Sequence, residues 1–252
     1  MYGYVTDGLY QVSDFDYDEA TKTYTLKDGV PYSGKKTDVK PGMWKFKNVD
    51  GSEDNKITEN DKTVIGNAYP KFYGGINNTF TYKDFDLSIF LTYSFGNDVF
   101  NATKLTNTKT ALQNKNVLDI ANSSNRWVVV NKKGELITDP QEMADINKGK
   151  TVAAVYDNEI GDTYIHSWAV EDGSYLKLSN ITLGYTFPRK MLSKIGISKL
   201  RLYATGNNLF TWTPYTGFDP EVSTMSSALT PGVDFGAYPR SRSFVFGVNV
   251  AF

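Results

Sequence analysis

The densest run of potential ligands is Asp50-Gly51-Ser52-Glu53-Asp54-Asn55-Lys56-Ile57-Thr58-Glu59-Asn60-Asp61. Laid on the calcium loop of an EF-hand, it places Asp50, Ser52 and Asp54 at the first three oxygen-ligand positions. The Lys56 carbonyl, Thr58 (directly or through water) and Asp61 complete the set, and Ile57 falls at the apolar eighth position. Position six is Asn55 where the consensus has glycine, and Asn tolerates a left-handed turn better than most residues. Position twelve is Asp61, shorter than the usual Glu and less able to bind through both oxygens. The expectation is a loop stapled by calcium in a structural role, with a solvated acidic turn as the alternative.

Elsewhere the chemistry is sparse. There is no cysteine, hence no disulfide framework, thiolate site or Cys nucleophile. The single histidine, His166, lies beside Trp168 with no second His to build a zinc site or a conventional triad. Asp219 and Glu221 sit two apart, whereas glycosidase carboxylates must stand about 5–9.5 Å apart across a cleft. They read as loop architecture. Trp212 and Tyr215 have the rings to stack on a sugar, but aromatics near a strand end more often form an interfacial girdle, and girdle is the reading adopted. The mixed polar run Lys104–Lys115 reads as a solvated loop. No nucleophile–base set is recognisable, so the expectation is a protein that is not an enzyme.

The elements that carry these residues are strands. Over 252 residues, aromatics make up 14%, with 17 Tyr and 15 Phe, against 40% hydrophobic residues in all. A formal charge of −1 argues against a nucleic-acid binder with a basic surface. No apolar run approaches the roughly 18 residues of a membrane helix. The opening MYGYVTDGLY has neither the basic nor the apolar region of an export signal. From Phe85 to Phe95 every odd position is large and apolar, and the even ones are polar or small except Phe90. Such alternation marks a strand with two unlike faces. At about 3.3 Å per residue it spans roughly 36 Å, or roughly 25 Å of height when tilted about 45°, the thickness of a bilayer's apolar band.

The pattern recurs in Tyr73–Tyr82, joined to the first by the two-residue spacer Lys83-Asp84, and in Tyr175–Phe187, Lys199–Trp212 and Ser243–Phe252. Connections alternate between short (Lys83-Asp84, Pro188–Ser198) and long polar stretches (Gly96–Ser174, Thr213–Arg242). That asymmetry suits an antiparallel up-and-down membrane barrel better than the competing soluble, glycan-binding β-sandwich.

Four blocks carry a family likeness. Gly206-Asn207-Asn208-Leu209-Phe210-Thr211-Trp212-Thr213-Pro214-Tyr215-Thr216-Gly217-Phe218-Asp219-Pro220-Glu221 resembles the near-C-terminal signature of SusC/RagA-type TonB-linked outer-membrane proteins of Bacteroidetes, as does the stretch Asp172–Thr186. Ile65–Gly75 and Tyr82–Leu87 match the same family in the same order. The resemblance implies an outer-membrane, TonB-dependent importer of oligosaccharides or peptides, with a SusD-like surface lipoprotein and the TonB complex as partners. It implies that the chain is a C-terminal portion, its strands the last of a barrel of about twenty-two whose plug and TonB box lie elsewhere, and that it should be insoluble alone. Terminal Phe252 resembles an assembly signal of outer-membrane proteins. The family commonly carries an Asp-x-Asn-Gly-Asp-Gly loop where Asp50–Asp61 stands, so this copy departs from it. The expected organisation is an extracellular loop region over residues 1–71, with the EF-hand-like acidic loop, followed by barrel over 72–252. Lys83-Asp84, Pro188–Ser198 and the C-terminus would then be periplasmic, and the long connections external.

Overall fold

The computed structural model describes residues 1–109, 116–156, 165–193, 196–221 and 231–252. Parts of the expected loops (110–115, 157–164, 222–230) and of the expected turn (194–195) lie outside the described residues. The chain forms two compact units, Met1–Gly66 with Phe100–Val170, and Asn67–Val99 with Glu171–Phe252.

The second unit is built on one five-stranded sheet of Phe72–Tyr82, Phe85–Phe95, Tyr175–Thr186, Lys199–Trp212 and Ser243–Ala251. Each strand pairs antiparallel with its predecessor in the chain, so the topology is up-and-down. All five expected strands form, their ends within one residue of the pattern. Lys83 takes a left-handed φ of 53° in the two-residue turn between the first two, as tight hairpins require. The ends of the strands fall as expected too: Lys83-Asp84, the 187–198 connection and the C-terminus share one end of the sheet.

Cross-strand register shows why the alternation matters. Phe80, Leu87, Leu183, Ala204 and Phe246 form one unbroken rung across all five strands. Two residues along, Asn78, Ile89, Ile181, Gly206 and Phe244 form the next. These apolar side chains are not packed away: Phe80 is 57% exposed, Leu183 51% and Phe246 80%. Aromatics bracket the rungs. Phe85 meets Tyr185 with ring centroids 4.7 Å apart at one end, and Phe72 meets Phe95 at 5.3 Å at the other. Phe85 to Phe95 is about 34 Å along the strand, hence about 25 Å of height at a typical barrel tilt. A soluble sandwich would bury these side chains between two layers, and that alternative is not what forms. Within this chain the sheet is an open wall, and no closed barrel is present among the described residues.

The phase of the alternation slips once, and the backbone absorbs it. Leu176 and Leu178 are even-numbered, whereas Ile181, Leu183 and Tyr185 are odd. A register shift leaves Ser179 outside the ladder register, between Leu178, opposite Leu91, and Asn180, opposite Phe90, with its hydroxyl bonded to Thr92 at 2.6 Å. The extra residue keeps both sets on one face. The next strand carries a matching irregularity around Asn208, at φ 53°.

The first unit holds most of the residues expected as an extracellular loop region together with much of the Gly96–Ser174 connection. It has short ladders, Thr6–Leu9 with Trp44–Phe46 and Phe15–Asp18 with Thr23–Leu26, and helices at Ala102–Asn107 and Pro140–Asn147. One buried cluster gathers Tyr4, Leu9, Trp44, Phe46, Ile57 and Trp127, and a second Tyr10, Phe15, Leu26, Val39 and Met43. The start of Lys104–Lys115 is accordingly helical, with Leu105 buried. Asp139 caps the second helix by accepting from the N–H of Gln141 (2.7 Å) and Glu142 (3.1 Å), with Pro140 at its first position. Asn147 then ties that helix to the chain, accepting from Val128 N (2.7 Å) and donating to Val128 O (2.9 Å).

The unlike faces of the sheet give a direct test in a bilayer. In the intact protein, Ile181→Arg on the apolar rung should cost about 2–4 kcal/mol of folding stability near the midplane, and Thr182→Arg on the opposite face far less. Urea titration in lipid vesicles reads the difference, and equal costs would show that the two faces meet the same medium.

Candidate functional site

The face opposite the apolar rungs is mostly polar, with Phe90 and Val245 as apolar exceptions, and many of its polar groups bond to one another. Thr79, Ser88, Thr182 and Thr205 form one rung, and Asn77, Phe90, Asn180, Asn207 and Ser243 another. Asn180 donates to Asn207 Oδ1 at 2.8 Å, Asn207 to Ser243 Oγ at 3.0 Å, and the Thr182 and Thr205 hydroxyls share a bond of 2.8 Å. Toward one end, Arg201 grips Asp86 through Nε (2.9 Å) and Nη2 (2.5 Å), across the intervening strand. Glycine at 184 makes that possible, because a Cβ there would lie 2.4 Å from the guanidinium and 2.5 Å from the carboxylate.

Toward the other end, Lys177 is buried and faces Glu221 at 2.5 Å and Asp219 at 3.5 Å. Tyr175 donates to the second Glu221 oxygen at 2.8 Å, and Asp219 accepts from the Glu221 N–H at 3.0 Å. Burial pushes the Glu221 carboxyl upward, but the hydrogen bonds from Lys177 and Tyr175 outweigh it and hold Glu221 below its usual range. The two carboxylates are counter-ions of Lys177 that fasten their segment to its strand. Above them lies a groove of about 440 Å³, lined by Pro70, Tyr73, Thr92, Ser94, Tyr175 and Glu221.

Trp212 and Tyr215, expected together in a girdle, part company. Trp212 stays exposed on the apolar face, 6.2 Å from the Phe210 ring. Tyr215 is buried, its hydroxyl donating to Asp234 at 2.7 Å, which corrects both its girdle and its sugar-platform readings. Burial, then the Asp234 hydrogen bond, push its phenol far above the usual range.

The calcium loop takes the expected turn but not the expected cluster. Asn55 is left-handed at φ 55°, as position six demands. Asp61, wholly buried, spends both oxygens on backbone: Oδ1 accepts from Val49 N at 2.8 Å, and Oδ2 from Thr58 N at 2.7 Å. The Asp50 carboxylate accepts from Ser52 N at 2.8 Å, and Asp54 from Lys56 N at 3.0 Å. Among the described residues no three acidic or histidine side chains come together to hold a metal ion. Asp50, Ser52, Asp54, Lys56, Thr58 and Asp61 lie in one turn, whose Asp50, Asp54 and Asp61 carboxylates each accept from backbone N–H groups.

His166 is fully buried, 4.9 Å from the Trp44 ring; Nδ1 shares a 2.9 Å hydrogen bond with Thr6 Oγ1, and Nε2 has no partner. Burial, helped by Lys109 and Lys104, pushes its pKa down to about 3. It is a neutral core residue.

Two measurements follow from these last geometries. Asp61→Ala should destabilise its unit by about 1–3 kcal/mol per orphaned N–H, while millimolar calcium or a chelator leaves the unfolding midpoint in place; a calcium-dependent rise would restore the metal reading. His166 takes up a proton near pH 6.5 when unfolded, but only near 3 when folded. The unfolded chain thus binds more protons in that window, so stability is full above about pH 6.5 and declines as the pH falls toward 3. Tryptophan-monitored unfolding should show a steeper loss from pH 7 to 5 than the His166→Gln variant shows.

No family model matches the chain. It is 32% identical over its whole length to the TonB-dependent receptor P3 of Formosa agariphila, of which it covers 22%, and 30% identical to receptor P39 of the same organism, covering 23%. Receptor SusC of Bacteroides thetaiotaomicron is 27% identical over 81% of the chain and 17% of its own length. The chain thus spans about a fifth of the length of the curated relatives it matches. Among solved structures, the RagAB peptide importer in its closed-closed state aligns with all of the chain and 23% of its own, at a TM-score of 0.59 and 18% identity, a likeness of fold. The chain belongs to the SusC/RagA-type TonB-dependent receptors and corresponds to their C-terminal portion.

Proposed function

We propose that the receptor containing this chain imports a bulky nutrient, oligosaccharide or peptide, across the outer membrane. The observation that carries this reading is the single-layer sheet with one unburied apolar face and one polar face, in a chain whose relatives are TonB-dependent receptors throughout. The chain supplies wall, not engine. Its apolar rungs face lipid, its polar rungs face the lumen, and the end opposite Lys83-Asp84 is extracellular. Energy comes from the TonB complex, through parts of the receptor outside this chain, and a SusD-like lipoprotein caps the extracellular side. The role is transport and not catalysis, in keeping with carboxylates that serve as counter-ions to Lys177.

Deleting the receptor in its source bacterium should abolish growth on the imported nutrient as sole carbon source, and deleting the TonB energising proteins should do the same. Complementation with Ile181→Arg should fail through loss of the receptor from the outer membrane, and Thr182→Arg should restore its presence. Unimpaired growth of the deletion strain on every glycan and peptide mixture the parent uses would refute the import reading.

A further inference from the structure

The apolar face of the sheet ends in rings, and at each end one ring carries a cation. Beside the Lys83-Asp84 turn, the Lys83 ammonium lies 5.3 Å from the centre of the Tyr82 ring. At the opposite end, the Arg242 guanidinium carbon lies 5.7 Å from the centre of the Phe210 ring. Phe210 stands opposite Leu178, and Leu178 opposite Leu91, so that ring belongs to the apolar face. Trp212 follows on the same face, its ring 6.2 Å from Phe210 and inclined by only 27°. Arg242 immediately precedes the strand Ser243–Ala251, and its contact with Phe210 places it on the side of Phe244 and Phe246. All of Phe210, Trp212, Arg242 and Phe244 are exposed.

Arg240, two residues before it, lies 3.9 Å from Glu221, whereas Arg242 has no acidic partner among the described residues. Contact with a ring attracts the charge but gives the five N–H donors no oxygen acceptor. At the level of an aromatic girdle, the anion at hand is the phosphate of a lipid headgroup. A guanidinium suits that group, because its planar fork engages two phosphate oxygens at once. Its apolar stem lies along the belt while the charged head reaches the interface. A free phosphate would leave the exposed rings of Phe210, Trp212 and Phe244 uncovered, but a lipid brings acyl chain and phosphate together.

We infer that Arg242, on the platform of Phe210 and Trp212, binds the headgroup phosphate of an anionic lipid in the outer leaflet. This rests on the reading of the sheet as a barrel wall whose Lys83-Asp84 end is periplasmic, and it names the lipid chemistry that wall meets. Lys83 over Tyr82 offers the inner leaflet a point charge without the fork. Because Arg242 is the last residue before the final strand, a phosphate held there fixes where the 213–242 connection leaves the membrane.

The test uses the full-length receptor, delipidated in detergent and offered bisphosphorylated lipid A or the same lipid with its phosphates removed. Native mass spectrometry reads how much of each is retained. The phosphorylated form should be held roughly tenfold better, and Arg242→Gln should remove that margin for one bound lipid. Arg242→Lys should keep part of it, Phe210→Leu should weaken it, and Lys199→Gln on the other face should leave it unchanged. Heat-modifiable mobility checks that each variant folds; Phe210→Leu keeps apolar bulk and loses only the ring. Equal retention of the two forms, unchanged retention by folded Arg242→Gln, or displacement of lipid A by millimolar inorganic phosphate would each overturn the inference. Retention of neither form would bring down the wall reading as well, whereas loss of the phosphate preference alone leaves that reading standing.

Discussion

Everything in the second unit follows from a single-layer sheet whose two faces differ in chemistry, one apolar and one mostly polar. In lipid no water is available to satisfy a backbone N–H or C=O, so a spanning segment must complete its hydrogen bonds internally. Five antiparallel strands in chain order do this for each other everywhere except at the two outer edges, Phe72–Tyr82 and Ser243–Ala251. With the backbone settled, the side-chain period of two assigns each residue to one face. That is why a register fault at Ser179 had to be repaired on the spot. Without the bulge, Leu176 and Leu178 would have turned toward Lys177's side, and Lys177 toward the apolar one.

Glycine does complementary work on the two faces. At 184 it opens a gap through which Asp86 and Arg201 meet across an intervening strand, and at 247 it accommodates the Tyr203 ring, which a Cβ would strike at 2.2 Å. On the apolar face Gly74 lies under Tyr93 in the same manner, a Cβ there falling 2.8 Å from the phenol oxygen. The cost of glycine to a strand is offset where a large neighbour covers the vacant position. These pairings also pin register, since a one-residue slip would drive each ring or ion pair into a side chain.

How far the sequence disclosed all this depended on the range of the interactions. Strands with a period of two over eleven residues could be placed to within a residue, because the signal is local. The first unit was illegible for the opposite reason. Trp44 and Phe46 alternate on one short strand, but the Trp127 and Met143 that share their core lie far away in the chain with no period linking them. One local sign was there to be used: Asp139-Pro140 followed by Glu142 is a helix start, and the helix is present. At the site, the spacing of Asp219 and Glu221 revealed nothing of Lys177, 42 and 44 residues earlier, yet that ion defines their role. The acidic loop is ambiguous in a different way. Its residue types suit calcium and equally suit backbone N–H groups, and only coordinates tell which partner an Asp61 oxygen has taken.

The distribution of charge is the remaining design feature. A buried ammonium is costly unless paired, and breaking such a pair leaves one ion stranded at a cost of about 3–5 kcal/mol. Lys177 is held by two carboxylates from a segment 42 or more residues downstream, so losing that segment's position would strand it. The pairing therefore does more than neutralise a wall: it makes the placement of Asp219–Glu221 a condition of the strand's own stability. Strand and connecting segment are fixed together, and the groove between Tyr73 and Tyr175 takes its shape from that joint constraint, with Glu221 forming one side of it.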